Sequence, residues 1–259
     1  MDLKALSGAL DAYVKPGTLP LAVKMVPPGE ELPEKVRIPS RDLKKRLAIC
    51  QVFNMTRRYG WAMALGREDQ NCPIGSVALG FEEAVPYYTE GNLADGMYTS
   101  SLEAGRKSEE AVRRFPLGKY AYLLVAPIAR ATFEPDFAYV YVNPAQLMRL
   151  VQAALYKEGG ALTSTFSGRG ECAETIVNTM ESGQCQVIMP GNGERVFGHT
   201  QDDEMAFTIP AAKVDEVSSG LEGTHKAGVR YPIPVWLNYE VSFPPKYTTL
   251  QDTWAKRGE

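Results

Sequence analysis

An internal echo constrains this chain more than any other feature. Cys72 and Cys172 lie 100 residues apart, and at that offset Leu47 meets Leu147, Met55 meets Leu155, Gly60 meets Gly160 and Val77 meets Val177. A second echo follows downstream. Pro127, Arg130 and Phe133 follow one apolar run, and Pro190, Arg195 and Phe197 follow another. Each half then enters a new strand-like run, Asp136 to Val142 before Pro144-Ala145 and Asp203 to Ile209 before Pro210-Ala211. A duplicated fold delivers the same residue type from both halves to a site on its pseudo-axis. The reading predicts repeat units at 20–135 and 136–209, a C-terminal extension at 210–259, and one compact domain over 1–259.

Hydrophobic periodicity supplies the elements. Leu3, Leu6, Leu10 and Tyr13 share a helical face. Leu21 to Val26 reads as a strand, 41–59 as a helix ended by Gly60, Trp61 to Leu65 as a strand, and Ile74 to Leu79 as a short helix. Residues 101–115 read as an amphipathic helix; Lys119 to Ala126 and Phe137 to Val142 read as strands. Asn143 with Pro144 opens a helix to Glu158. Leu162 to Phe166 is expected as a strand, Cys172 to Glu181 as a helix, Gln184 to Met189 as a strand and Pro190 to Gly193 as a turn. Met205 to Ile209 and Val235 to Leu237 are further strand candidates, and a helix begins at Pro210. Strands alternating with helices predict an α/β fold, with α+β as the variant: a mixed sheet flanked by helices. The sheet is mixed rather than parallel because no helix separates 119–126 from 137–142.

The bulk numbers give no reason to expect several functions. A net charge of −3 gives no reason to expect nucleic acid, whose binding needs a basic face. No apolar run reaches the roughly 18–20 residues that span a bilayer, and Met1-Asp2-Leu3-Lys4 does not open a secretory signal. The expectation is a cytoplasmic protein with reduced thiols and no membrane partner; homo-oligomerisation stays open.

Four cysteines carry the candidate chemistry. Cys72 and Cys172 each fall at the start of an expected helix, where free N–H groups favour a thiolate. They are the candidate catalytic nucleophiles, or soft ligands for a metal. Cys50 falls mid-helix and Cys185 in an apolar strand, less well placed for chemistry and better read as core packing. No CxxC knuckle is present, so a metal site using Cys50, Cys72, Cys172 and Cys185 requires tertiary folding to gather them. An iron–sulfur cluster is the first candidate and zinc the second.

Arg130, Arg169 and Arg195 are the candidate anion ligands, with Gly191 and Gly193 allowing backbone N–H groups to approach. Each arginine can instead pair with a local carboxylate, such as Glu134, Glu171 or Glu194. Pro190 to Arg195 matches neither a P-loop nor a dinucleotide fingerprint. His199 sits beside Asp202, Asp203 and Glu204, an acidic turn better read as solvated than as a metal site.

These residues carry a resemblance. Leu21 to Val26, Cys50-Gln51, and the run from Asp69 through Cys72 to Phe81 resemble the bacterial and archaeal domain-of-unknown-function family 169. So do Glu171-Cys172-Ala173, Gly191 to Arg195, and Asp203-Glu204 ahead of Phe207 to Ala211; the likeness covers roughly residues 18–220. It implies no reaction. The family's frequency in anaerobes and archaea accords with a cysteine-bound metal or cluster. The expected function is a cofactor- or ligand-binding protein with a cysteine-lined site and an arginine-lined site for a small anion. The alternatives are an enzyme with a cysteine nucleophile acting on an acyl or similar electrophile, and an accessory subunit with core cysteines.

Overall fold

The computed structural model describes residues 1–233 and 242–256. The strand expected at Val235 to Leu237 lies outside them. In chain order the elements are α1 (Leu3–Tyr13), β1 (Leu21–Val26), α2 (Ile49–Tyr59), β2 (Met63–Gly66), α3 (Pro73–Ala78), α4 (Pro86–Thr89), α5 (Leu102–Ala111) and β3 (Tyr122–Pro127). Then come β4 (Phe137–Val142), α6 (Pro144–Leu155), a π-helix (Ala173–Asn178) running into α7 (Thr179–Ser182), β5 (Gln186–Ile188), α8 (Asn192–Gly198), β6 (Met205–Pro210), α9 (Val214–Lys226) and α10 (Pro245–Ala255).

Local chemistry explains the ends of these helices. Asp2 accepts the Ala5 N–H at 2.9 Å and starts α1. Asn143 and Gln146 cap each other's backbone at 2.9 and 2.8 Å, with Pro144 at the first helical position of α6. Gly60 ends α2 with φ +72°, a conformation that costs glycine nothing.

The six strands form one sheet in the order β2-β3-β1-β4-β6-β5. Every pair of neighbouring strands is antiparallel, so the sheet is not mixed at the level of hydrogen bonding. The physical reason is that the crossovers are split. β1 and β2 run the same way, joined through α2, but β3 inserts between them; β6 inserts likewise between β4 and β5. Alternation of strands and helices therefore persists in the chain without producing parallel neighbours.

Side chains alternate across the sheet and feed two cores. Leu21, Val23, Met25, Leu123, Val125, Phe137, Tyr139 and Tyr141 meet α2 and the π-helix on one face. Ala22, Ala138, Val140, Val142, Phe207 and Ile209 meet α1, α6 and α9 on the other. Burial on both faces explains why the strands read as continuous apolar runs. α9 packs against α1 and α6, so the expected C-terminal extension begins with an integral layer of the second core.

The repeat in its 100-residue register is not confirmed. Cys72 caps α3, which follows the edge strand β2; Cys172 starts the π-helix, which precedes the other edge strand, β5. The strand order itself reads alike from both edges, β2-β3-β1 and β5-β6-β4. In that order the partner of Cys172 is Cys50, which also opens a helix leading into an edge strand. A gapless offset missed this because α6 interrupts the second unit where the first has none, and residues 67–121 interrupt the first.

Three local expectations also change. The helix expected over 41–59 is broken: Lys44 takes φ +54°, and Leu47 pairs with backbone at Asp69 and Asn71 before α2 begins at Ile49. Residues 162–166 are not a strand, because Val187 N–H bonds the Ser164 hydroxyl at 2.8 Å rather than a backbone carbonyl. The glycine-rich turn at 190–193 ends at Gly191, which caps the helix α8.

Candidate functional site

Moving the start of α2 to Ile49 puts Cys50 in its first turn rather than mid-helix. α2 packs against α8, where Gly198 lies so close that a β-carbon would sit 3.1 Å from both the Cys50 Cβ and its carbonyl oxygen. The Cys50 thiol faces the Gly193 carbonyl at 3.8 Å. Cys72 caps α3, its N–H bonded to the buried Gln70 side chain at 3.0 Å. Cys172 is the third residue of the turn that Ala173 N–H closes onto Gly170 O at 2.9 Å, just ahead of the π-helix.

These three cysteines line one cavity of about 230 Å³. Ile49, Ile74, Met97 and Phe197 supply its apolar wall; Tyr98, Arg169, Glu171 and Glu194 supply its polar groups. Cys185 is not among them. It packs into the opposite core, beside Val187, and lines a separate cleft with Lys213 and Leu162. A four-cysteine site is therefore ruled out in this fold, because the sheet stands between Cys185 and the other three. Among the described residues no group of three or more His, Cys, Asp or Glu side chains is arranged to hold a metal ion.

Two carboxyl groups border the thiols. Glu194 is 1% exposed and accepts the Tyr141 hydroxyl through Oε1, while its Oε2 has no partner. Glu171 lies against Gly191, where a β-carbon would come within 2.9 Å of its Oε2 and the carboxyl would have to shift. Burial first, then the neighbouring Glu194, pushes Glu171 well above the usual carboxylate range. Burial likewise raises the Cys172 thiol, with Glu171, Cys72 and Cys50 adding to it. Cys50 is raised by burial, then by Glu171, Glu194 and Cys72. The cavity thus gathers acidic groups, and burial favours the protonated forms of Glu171, Cys172 and Cys50. A resting thiolate at Cys172, expected from its helix start, is opposed by this environment: desolvation outweighs the few N–H groups.

The expected arginine trio does not converge. Arg169 lines the thiol cavity, buried at 8% exposure and paired with Glu109 rather than with Glu171. Arg130 is exposed and borders a different cleft of about 670 Å³ with Gly60, Lys35 and Phe133. Arg195 bonds the Gln201 and Glu204 carbonyls and holds the turn before β6. Gly193 lines the cavity; Gly191 backs it by admitting Glu171. His199 is exposed, and its neighbour Glu204 is committed to Arg57 at 2.6 and 2.9 Å.

Sequence reasoning weighed Glu171 and Glu194 only as arginine partners and missed Glu109, Tyr98 and Tyr141. The available signal was the acidic residue directly before Cys172. Nothing local marks Glu109, whose role comes from a partner 60 residues away.

Comparison with known proteins adds kinship without chemistry. A family model for domain-of-unknown-function family 169, described as Uncharacterised ArCR, matches residues 9–220. An uncharacterized protein of Methanocaldococcus jannaschii is 26% identical over 211 residues, covering 78% of this chain and 86% of its own. No solved structure matches the chain significantly. The chain belongs to domain-of-unknown-function family 169.

Proposed function

We propose that this member of the family binds a small cofactor or ligand in the cavity bounded by α2, α3 and the π-helix, with Cys50, Cys72 and Cys172 as the recognising groups. One observation carries the reading: three thiols from three separate elements meet at one cavity of about 230 Å³. Thiols select soft centres, so an iron–sulfur cluster is the first candidate and zinc the second. Protonated Cys50, Cys172 and Glu171 set the terms of entry. A soft cation displaces their protons, which makes its affinity rise with pH. The thiols line the cavity without forming a coordination set, so the proposal requires them to close on the centre as it binds.

Anaerobic purification, followed by iron, zinc and sulfide analysis and an absorption spectrum, tests this. The expected result is near one equivalent of metal or cluster, lost in Cys50→Ser, Cys72→Ser and Cys172→Ser and kept in Cys185→Ser. Metal-free protein whose four thiols all alkylate in the folded state refutes it.

A second reading, a cysteine nucleophile acting on an acyl or similar electrophile, has one observation in its favour. Glu171 adjoins Cys172 and keeps its proton, as a general acid beside a nucleophile does. It requires one cavity thiol to alkylate far faster than the others at neutral pH in metal-free protein.

A further inference from the structure

The Arg169–Glu109 ion pair is incomplete. Both side chains are 1% exposed, and Nη1 of Arg169 donates to Oε1 of Glu109. Nε and Nη2 of Arg169 are buried without a hydrogen-bond partner, and so is Oε2 of Glu109. Guanidinium and carboxylate groups commonly close with two parallel bonds; here only one forms. Nε and Nη2 make up one whole edge of the guanidinium, the edge whose paired N–H groups match the two oxygens of a carboxylate. A buried donor edge without acceptors is costly, and native proteins rarely leave one unless something fills it. Tyr88 and Tyr98 hold the guanidinium in place, their ring centroids 5.5 and 5.7 Å from its central carbon. Arg169 and Tyr98 both belong to the wall of the thiol cavity.

We propose that Arg169 is the anion-recognising residue of this cavity: a small carboxylate-bearing ligand reaches its Nε–Nη2 edge, which is closed to solvent in the structure, as the cavity wall yields on binding, while the rest of the molecule lies against Cys50, Cys72 and Cys172. The inference rests on the cavity being a ligand site, and it names the ligand's class. A volume of about 230 Å³ suits a molecule of few heavy atoms. Glu171 and Glu194 line the same space, so the rest of the ligand meets carboxyl side chains there. Met97 and Tyr98 are 70% and 38% exposed and mark the side open to solvent.

Iodoacetate and iodoacetamide test this, because they differ only in carboxylate against amide. With either, the sulfur attacks the methylene carbon, iodide leaves, and the thiol proton passes to solvent. The ratio of the two rates at one cysteine cancels its thiolate fraction and reports carboxylate recognition. Cys185, in the opposite core, is the internal reference, read in a Lys213→Gln background because Lys213 lines its cleft. Mass spectrometry of each cysteine, on protein as purified and after chelator treatment, supplies the rates. In the wild type the iodoacetate-to-iodoacetamide ratio at the cavity cysteines is expected to exceed that at Cys185 by on the order of tenfold, the effect of a charge-assisted bond pair. It should fall to the Cys185 value in Arg169→Lys, which keeps the charge without the edge, and persist in Glu109→Gln. Acetate should slow iodoacetate labelling more than inorganic phosphate does. Equal ratios at the cavity cysteines and Cys185 in folded wild-type protein overturn the proposal, and protection by phosphate alone overturns the carboxylate assignment. Metal content of the same preparations separates the two readings. Metal with equal ratios removes only this one, whereas metal-free protein with a raised ratio removes only the metal.

Discussion

Replacing Glu204 by glutamine probes the charge network behind the cavity. Arg57, on α2, has a fully buried side chain; it bonds Glu204 at 2.6 and 2.9 Å and lies 3.8 Å over the ring of Tyr141. Tyr141 in turn donates to Glu194 at the cavity wall. Glutamine keeps the volume and removes the charge, leaving a buried guanidinium whose Nε already lacks a partner. Breaking a buried pair from one side costs about 3–5 kcal/mol. Water reaches Glu204, whose side chain is 17% exposed, and lowers that to about 2–4 kcal/mol. Unfolding a chain of 259 residues releases about 0.5 kcal/mol/K, so the melting temperature should fall by roughly 4–7 °C. Glu82→Gln is the control, since the Arg67–Glu82 pair has similar bonds at 2.8 and 2.9 Å but is 63% and 48% exposed, and its loss should move the midpoint little. Burial works to raise the Glu204 carboxyl, but its bonds from Arg57 and the Gln201 N–H overcome this and hold it below the ordinary 4.5. A carboxyl depressed in the folded state contributes fully above its unfolded value and loses that contribution as pH falls through the folded one. The wild type and Glu204→Gln should therefore differ most at neutral pH and converge below pH 4.5. Calorimetry across pH decides it. Equal shifts for Glu204→Gln and Glu82→Gln, or a gap that widens toward acid, refute the reasoning.

Other expectations follow from single contacts. Gly220→Ala should destabilise by about 1–3 kcal/mol in chemical denaturation, because its β-carbon would fall 2.1 Å from Ala153 O where α9 crosses α6. Gly8→Ala, with nothing within 4 Å on the exposed side of α1, should stabilise by about 0.5–1 kcal/mol. Tyr141→Phe leaves both oxygens of the buried Glu194 without a partner and should cost about 1–3 kcal/mol in the same assay. Alkylation of Cys172 in metal-free protein should accelerate only as pH passes well above the ordinary thiol value of 9.0, read as a rate profile by mass spectrometry.

Much of the fold was legible in the chain. The strands at 21–26, 137–142 and 205–210 and the helices α1 and α6 announce themselves through apolar period and capping residues. The errors cluster where tertiary contacts override local preference. Residues 41–48 have a helical apolar stripe, yet Leu47 takes backbone partners at Asp69 and Asn71 and the helix waits until Ile49. Gly191 to Gly193 read as a turn, but the packing of α8 on α2 makes a helix of Asn192–Gly198. Among site residues, Cys72 and Cys172 were visible as thiols at helix starts, and both line the cavity.

By itself the sequence determined the periods, the helix ends, and the thiols that open helices, because side-chain direction and capping depend on neighbours within one turn. Which cysteines meet was decided only by the tertiary structure. Insertion of β3 and β6 into the two crossovers sets the strand order, and with it Cys50, rather than Cys72, becomes the positional counterpart of Cys172. Strand parity settles Cys185: it shares the parity of Val187, which faces the α1, α6 and α9 core, whereas Ile188 faces the core beneath the cavity. A shift of one residue along that strand would exchange the two faces, and no local pattern in so short a strand fixes the choice.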